Sequence, residues 1–173
     1  MEKKIFHDFD LTAFWKDSDY ARKRYISEPL TDDLIAGIEQ ELGYKLPASY
    51  IELMHSQNGG IPVHNGFRTT EVTTWGGKHI EIAGILGLGR TKAYSVCGHS
   101  GSKFMIDDWG YPALGVYICT SPSAGHDMVL LDYSQCGKDG EPQVVHVDQE
   151  SDYKVTFVAK DFETFVRGLT TLD

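Results

Sequence analysis

The sequence predicts a single α+β domain, and three observations carry that expectation. Residues 11–60 hold helical patterns, short β-rich runs fill 78–159, and one further helical pattern closes the chain. Helices, then strands, then a helix is the order of an α+β fold and not of a βαβ repeat. The 173 residues suffice for a core without disulfide or metal staples. No internal repeat, low-complexity tract or linker-like shift divides them, so one domain is expected over 1–173.

The first candidate element is a helix over 11–27, "LTAFWKDSDYARKRYIS", with Trp15, Tyr20 and Tyr25 as anchors. The second begins at Thr31, whose hydroxyl can cap a helix; Asp32 and Asp33 then sit in the first turn, where the dipole favours anions. Leu34, Ile35, Ile38 and Leu42 form its apolar face, and Gly43 offers a stop. Pro47 is expected to open a third helix at the first helical position, with Tyr50, Leu53 and Met54 inward and Asn58-Gly59-Gly60 as terminator. Strands follow at 78–89, 114–120, 127–134, 143–149 and 153–159. Asp139-Gly140 between two of them is a hairpin signal, and the polar residues there suggest a half-solvated hairpin. Asp161 caps the last helix, with Phe162, Phe165, Val166 and Leu169 on one face.

Composition narrows the function classes. Acids outnumber bases 25 to 16, for a net charge of −9 and a pI near 5.2, which repels phosphate backbones. The densest basic run, Arg22-Lys23-Arg24, is a solvated helix face. No direct nucleic-acid partner is therefore expected; a basic protein partner suits the charge. Cys97, Cys119 and Cys136 form no C-x-x-C pair and fit free thiols in a reducing cytoplasm. Asp8 and Asp10 occupy the place of a signal peptide's apolar run, and no stretch has the length of a membrane span. The expected location is cytoplasmic.

The catalytic patterns are all incomplete. Ser100 in "CGHSGS" lacks the glycine two residues on that a nucleophile elbow needs, because Ser102 stands there. "GHSGSK" and "GILGLG" have the wrong spacing for phosphate and dinucleotide loops. His79-Ile80-Glu81 has the H-x-E form of a zinc deaminase without the P-C-x-x-C half. Ser123, His126, Asp127, Asp132, Cys136, His146 and Asp148 crowd one span, yet no H-x-x-x-H or H-E-x-x-H fixes two ligands on one helix face. A hydrolase using the 126–148 cluster remains a remote alternative; no catalytic residue, metal or cofactor is expected. The remaining candidate is a contact patch in a loop, Asp107, Asp108, Trp109 and Tyr111, since aromatics are favoured at interfaces and charges at their rims.

The stretch "LTDDLIAGIEQELGYKLPASYIELMHSQNGGIP" resembles the opening of the SUKH superfamily. That signature is an amphipathic helix with I-x-x-x-E, then L-G-x-x-L-P-x-x-Y and a closing N-G-G. Here it reads Ile35 to Glu39, Leu42-Gly43, Leu46-Pro47, Tyr50 and Asn58-Gly59-Gly60. "IAGILGLG", "VLLDYS" and "VTFVAKDFETFVRGL" are similar to the family's later landmarks. The resemblance covers residues 30–170 and leaves 1–29 as an N-terminal extension. It implies an α+β domain with a central, largely antiparallel sheet flanked by helices. It also implies a non-enzymatic protein that binds and neutralises a cognate toxin, often a nuclease. The fungal branch supplies the alternative, an intracellular scaffold or regulator of envelope or stress physiology. No functional residue carries over from the family with it.

Overall fold

The stretch expected as one helix over 11–27 is broken into three pieces in the computed structural model, which describes residues 4–172. A 3-10 turn, Leu11–Ala13, is followed by strand β1, Trp15–Lys16, and helix α1, Asp19–Arg24. Ser18 accepts the Ala21 backbone N–H and so starts a new helix, while Trp15 and Lys16 are drawn into pairing with residues 61–62. Tyr25 is the anchor that becomes core; Tyr20 stays 54% exposed.

Helix α2, Asp32–Leu42, follows its sequence pattern closely. Thr31 accepts from the Leu34 N–H, and Gly43 closes the helix in the left-handed region at φ 82°. Ile38 is fully buried, and Leu34, Ile35 and Leu42 pack at the core's edge. Helix α3, Ala48–Ser56, begins one residue later than expected, because Pro47 is its extended cap with ψ 144°. Tyr50, Leu53 and Met54 are buried, and the Tyr50 hydroxyl donates to the Leu86 carbonyl. Asn58 then ties the chain down. Its amide donates to the carbonyls of Glu28 (2.7 Å) and Leu88 (2.9 Å), and its oxygen accepts from Leu88 N (2.7 Å). Gly59, at φ 92°, allows this approach: a Cβ there would lie 2.6 Å from the Tyr25 carbonyl oxygen and 2.7 Å from Gly87 N.

Strand β2, Ile61–Pro62, pairs with β1; β3, Gly66–Arg68, pairs with β4, His79–Glu81. The run expected as one strand over 78–89 is therefore split, since β5, Gly84–Ile85, leaves for another sheet. Next come α4, Ser102–Asp107, which the sequence did not announce, then β6, Gly115–Thr120, and β7, Asp127–Asp132. Strand β8, Gln143–Asp148, strand β9, Lys154–Ala159, and helix α5, Phe162–Gly168, complete the fold. The five strands β5 to β9 form one wholly antiparallel sheet in sequence order. This is the α+β architecture with an antiparallel sheet flanked by helices.

The expectation of a half-solvated hairpin is corrected here. Every residue of β7 is buried, as are the inner four of β8. Val129, Leu131 and Val144 face a core shared with α2, α3 and α5; Met128, Leu130, Val145 and Val147 face a second cluster with Met105 of α4, Tyr111 and Tyr117. Alternation reads as half-exposed only when one face of the sheet is bare, and α4 with the aromatics covers that face. The β7–β8 connection also differs from a tight two-residue turn. It runs from Tyr133 to Pro142, and its left-handed glycine is Gly137 (φ 79°), not Gly140.

Candidate functional site

The polar residues crowded between Ser121 and Glu150 do not share one site. Asp127, 4% exposed, is a buried hub. Its Oδ2 accepts from His146 Nε2 at 2.6 Å and from the Trp75 indole N–H at 3.1 Å, and its Oδ1 lies 2.6 Å from the Ser121 hydroxyl. Ser123 Oγ accepts the Asp127 N–H at 3.0 Å. Burial pushes the carboxyl up, but hydrogen bonds from His146, Ser121 and Ser123 outweigh it and bring the group down to about 2. The carboxylate is thus an acceptor, and Nε2 of His146 carries the proton between them. His146 Nδ1 has no partner among the described residues.

This order of groups matters chemically. A hydrolytic triad places histidine between serine and acid, so that the imidazole can take the serine proton. Here the acid stands in the middle, and both serines bond to Asp127 or to each other. Among the described residues no hydroxyl is hydrogen-bonded to His146. The cluster instead pins the Trp75 loop and the 121–126 turn to β7 and β8.

The other polar residues lie apart. Asp132 accepts from Gln143 Nε2 and Ser134 N, both at 2.9 Å. Asp148 accepts from Glu150 N, and His126 sits beside Gln149 and Glu150 at the surface. Cys136 is half-buried, and burial raises its thiol, which keeps it protonated. Among the described residues no three His, Cys, Asp or Glu side chains converge as a metal set.

The four residues expected to form a contact patch have a defined frame. Asp107 ends α4 and Asp108 caps it, both exposed, with the Asp108 N–H bonded to Phe104 O at 2.8 Å. Carboxylates at a helix C-terminus oppose its dipole, so their place there is not explained by helix stability. Trp109 is half-buried, its ring edge-on to His126 at 5.4 Å and its carbonyl held by the Tyr153 hydroxyl. Tyr111 is 2% exposed; its hydroxyl donates to Gly125 O at 2.6 Å and its ring meets Tyr117 and Tyr153 edge-on. Three of the four residues thus reach the surface, while Tyr111 holds the 125 turn beneath them.

Next to Trp109 opens a cleft of about 250 Å³ that the sequence reading missed. Tyr20, Tyr94, Phe104 and Trp109 wall it, with Met105 and Pro122 between them. In the sequence Tyr20 fits a helix anchor, and Tyr94 and Phe104 carry no pattern. Tyr20 meets Tyr94 and Phe104 across more than 70 residues of chain, and local periodicity cannot report that.

The fold is an α+β domain whose Asp127 cluster is largely hydrogen-bonded within itself and whose surface carries acids and aromatics around Trp109. The chain belongs to the SMI1 / KNR4 family (SUKH-1), whose model matches residues 29–168. That family includes toxin-immunity proteins and fungal regulators; its members are generally non-enzymatic and generally bind partner proteins. No curated protein matches the chain. Among the described residues no helix is long and apolar enough to cross a membrane.

Proposed function

We propose that this chain is a cytoplasmic, non-enzymatic immunity-type protein that binds and neutralises a cognate toxin of basic charge, a nuclease being the class its charge fits best. The observation that carries the reading is the pair Asp107 and Asp108, exposed and without an ion-pair partner among the described residues, flanking half-buried Trp109. An acidic surface around an aromatic competes for the basic groove with which a nuclease holds phosphates, and steering raises its on-rate. The chain's net charge of −9 acts in the same direction. Tyr111 supports the patch from below.

The test is protection. The product of the adjacent gene is expressed in cells with and without this protein, and survival is counted. Survival that needs this protein, and falls with the double substitution Asp107→Ala and Asp108→Ala, supports the reading. A neighbouring product that is harmless and does not bind would move the weight to an intracellular scaffold or regulator.

A further inference from the structure

The stretch 4–13 lies before the family match and is tied to the fold by few bonds. Among the described residues, its main chain is hydrogen-bonded to the rest of the protein only at Ile5 and Phe6. Ile5 N and Phe6 N donate to the two oxygens of the Glu52 carboxylate on α3, at 2.9 and 2.7 Å. The Ile5 carbonyl accepts from Arg167 Nη2 of α5 at 2.9 Å. The same guanidinium holds Asp8 at 2.9 Å and lies 5.6 Å from the Phe6 ring centre and 6.0 Å from that of Phe9. Glu163, one turn earlier on α5, steadies it at 2.8 Å. The other main-chain bonds of the stretch are internal, such as His7 N to Lys4 O and Phe9 N to Phe6 O. Phe6 is its one buried side chain.

From Phe14 onward the attachment changes. Phe14 is buried, its carbonyl accepts from Val63 N at 2.8 Å, and Trp15 and Lys16 pair with β2. The stretch therefore has one end fixed beside a strand ladder and the other held by two charged side chains. It also borders two cavities. One, of about 730 Å³, has Lys4, Phe6 and Leu11 on one side and Ile35, Leu46 and Ile51 on the other. The second, of about 250 Å³, is lined by Ile5 together with Glu141 and Asp161. Ala48 lines both, with Phe6 on the first and Ile5 on the second. Groups that line a void have fewer contacts to lose when they move, which lowers the cost of a local opening.

We infer that residues 4–13 are a strap that opens as a unit about Phe14 while the rest of the fold stays closed, joining the two cavities into one trough along α3. Opening needs the release of one buried phenylalanine and of the Glu52 and Arg167 clips. Water and salt compete for both clips, because bonds to charged side chains near the surface are weakly held. Segments with few buried apolar contacts and exposed bonds open at lower free energy than the whole fold. The strap packs with the core on the α3–α5 side of the sheet, whereas α4 covers the other side. Its motion thus answers to different contacts from those around Asp107 and Asp108.

The experiment is amide hydrogen exchange on the full chain, labelled with 15N and followed across low urea concentrations. The Ile5 and Phe6 amides should exchange together, with protection at least about 100-fold below that of the β7 amides. Their rates should rise little with urea, because a local opening exposes little surface. The Val63 amide, bonded at the hinge, should keep higher protection than either. Glu52→Gln should speed exchange at Ile5 and Phe6 about tenfold, the effect of weakening a bond to a charged acceptor, and leave β7 unchanged. Arg167→Gln, at an exposed position, should speed the same two amides, and it reads the clip even if Glu52→Gln fails to fold. Ile5 and Phe6 exchanging with the rate and urea slope of β7 would overturn the strap, as would either folded variant that raises β7 equally. A Val63 amide that opens together with Ile5 and Phe6 overturns the hinge at Phe14.

Discussion

Asp127 owes its low pKa to His146 on the neighbouring strand and to Ser121 and Ser123 in the turn before it, so its charge is a contribution to folding as well as a local feature. Its folded value of about 2 lies below the ordinary carboxyl value near 4. A depressed folded pKa stabilises fully above the unfolded value and is lost as pH falls through the folded one. The shift corresponds to on the order of 2 kcal/mol at neutral pH. Urea unfolding of the wild type and of Asp127→Asn should differ more at pH 7 than at pH 3, because acid removes the wild type's advantage. An equal gap at both values would mean the carboxylate is not the charged hub described here. The sequence placed Ser123, Asp127 and His146 in one polar span but could not tell pin from catalyst. That distinction depends on Trp75 and Ser121 arriving from outside the hairpin, and on the acid standing between serine and histidine.

Among the elements, those set by local chemistry were legible and those set by partners were not. Thr31 and Asp161 each cap a helix through their own side chains, and both helices start where the sequence placed them. The strands β6 to β9 also matched, because β-rich runs between turn residues need little help. Residues 11–27 failed as one helix because Ser18 restarts the backbone and β1 pairs with β2, a contact about 45 residues away in the chain. Helix α4 has two buried residues in six and no capping side chain, so it offered no periodic signal. Helix α3 gives the test at this scale. Leu53 is fully buried in the main core, and Leu53→Ala should cost about 2–5 kcal/mol in a denaturant melt. A loss below about 0.5 kcal/mol, the range of surface changes, would mean the helix presents another face.

At the scale of the whole molecule, the sheet is enclosed on both faces, and chemistry is left to the surface. The family match and the order of elements were readable because the residues of the motif from Ile35 to Gly60 each have a physical task that other residue types fill poorly. Asn58 bridges Glu28 and Leu88, and Gly59 admits the Tyr25 and Gly87 backbones. Of the four residues proposed as a contact patch, Asp107, Asp108 and Trp109 reach the surface, while the burial of Tyr111 and the nearness of Tyr20 are set by the fold. The net charge of −9 then predicts how a partner arrives. Rim carboxylates act mostly on association, and a buried aromatic on dissociation.

Surface plasmon resonance with the adjacent gene's product, at low and high salt, measures both terms. The account predicts slower association for the Asp107→Ala, Asp108→Ala double variant at low salt. That difference should shrink at high salt, where screening already removes the steering, and Trp109→Ala should speed dissociation. Association rates indifferent to salt, with both variants binding as the wild type does, would contradict a partner held at this patch.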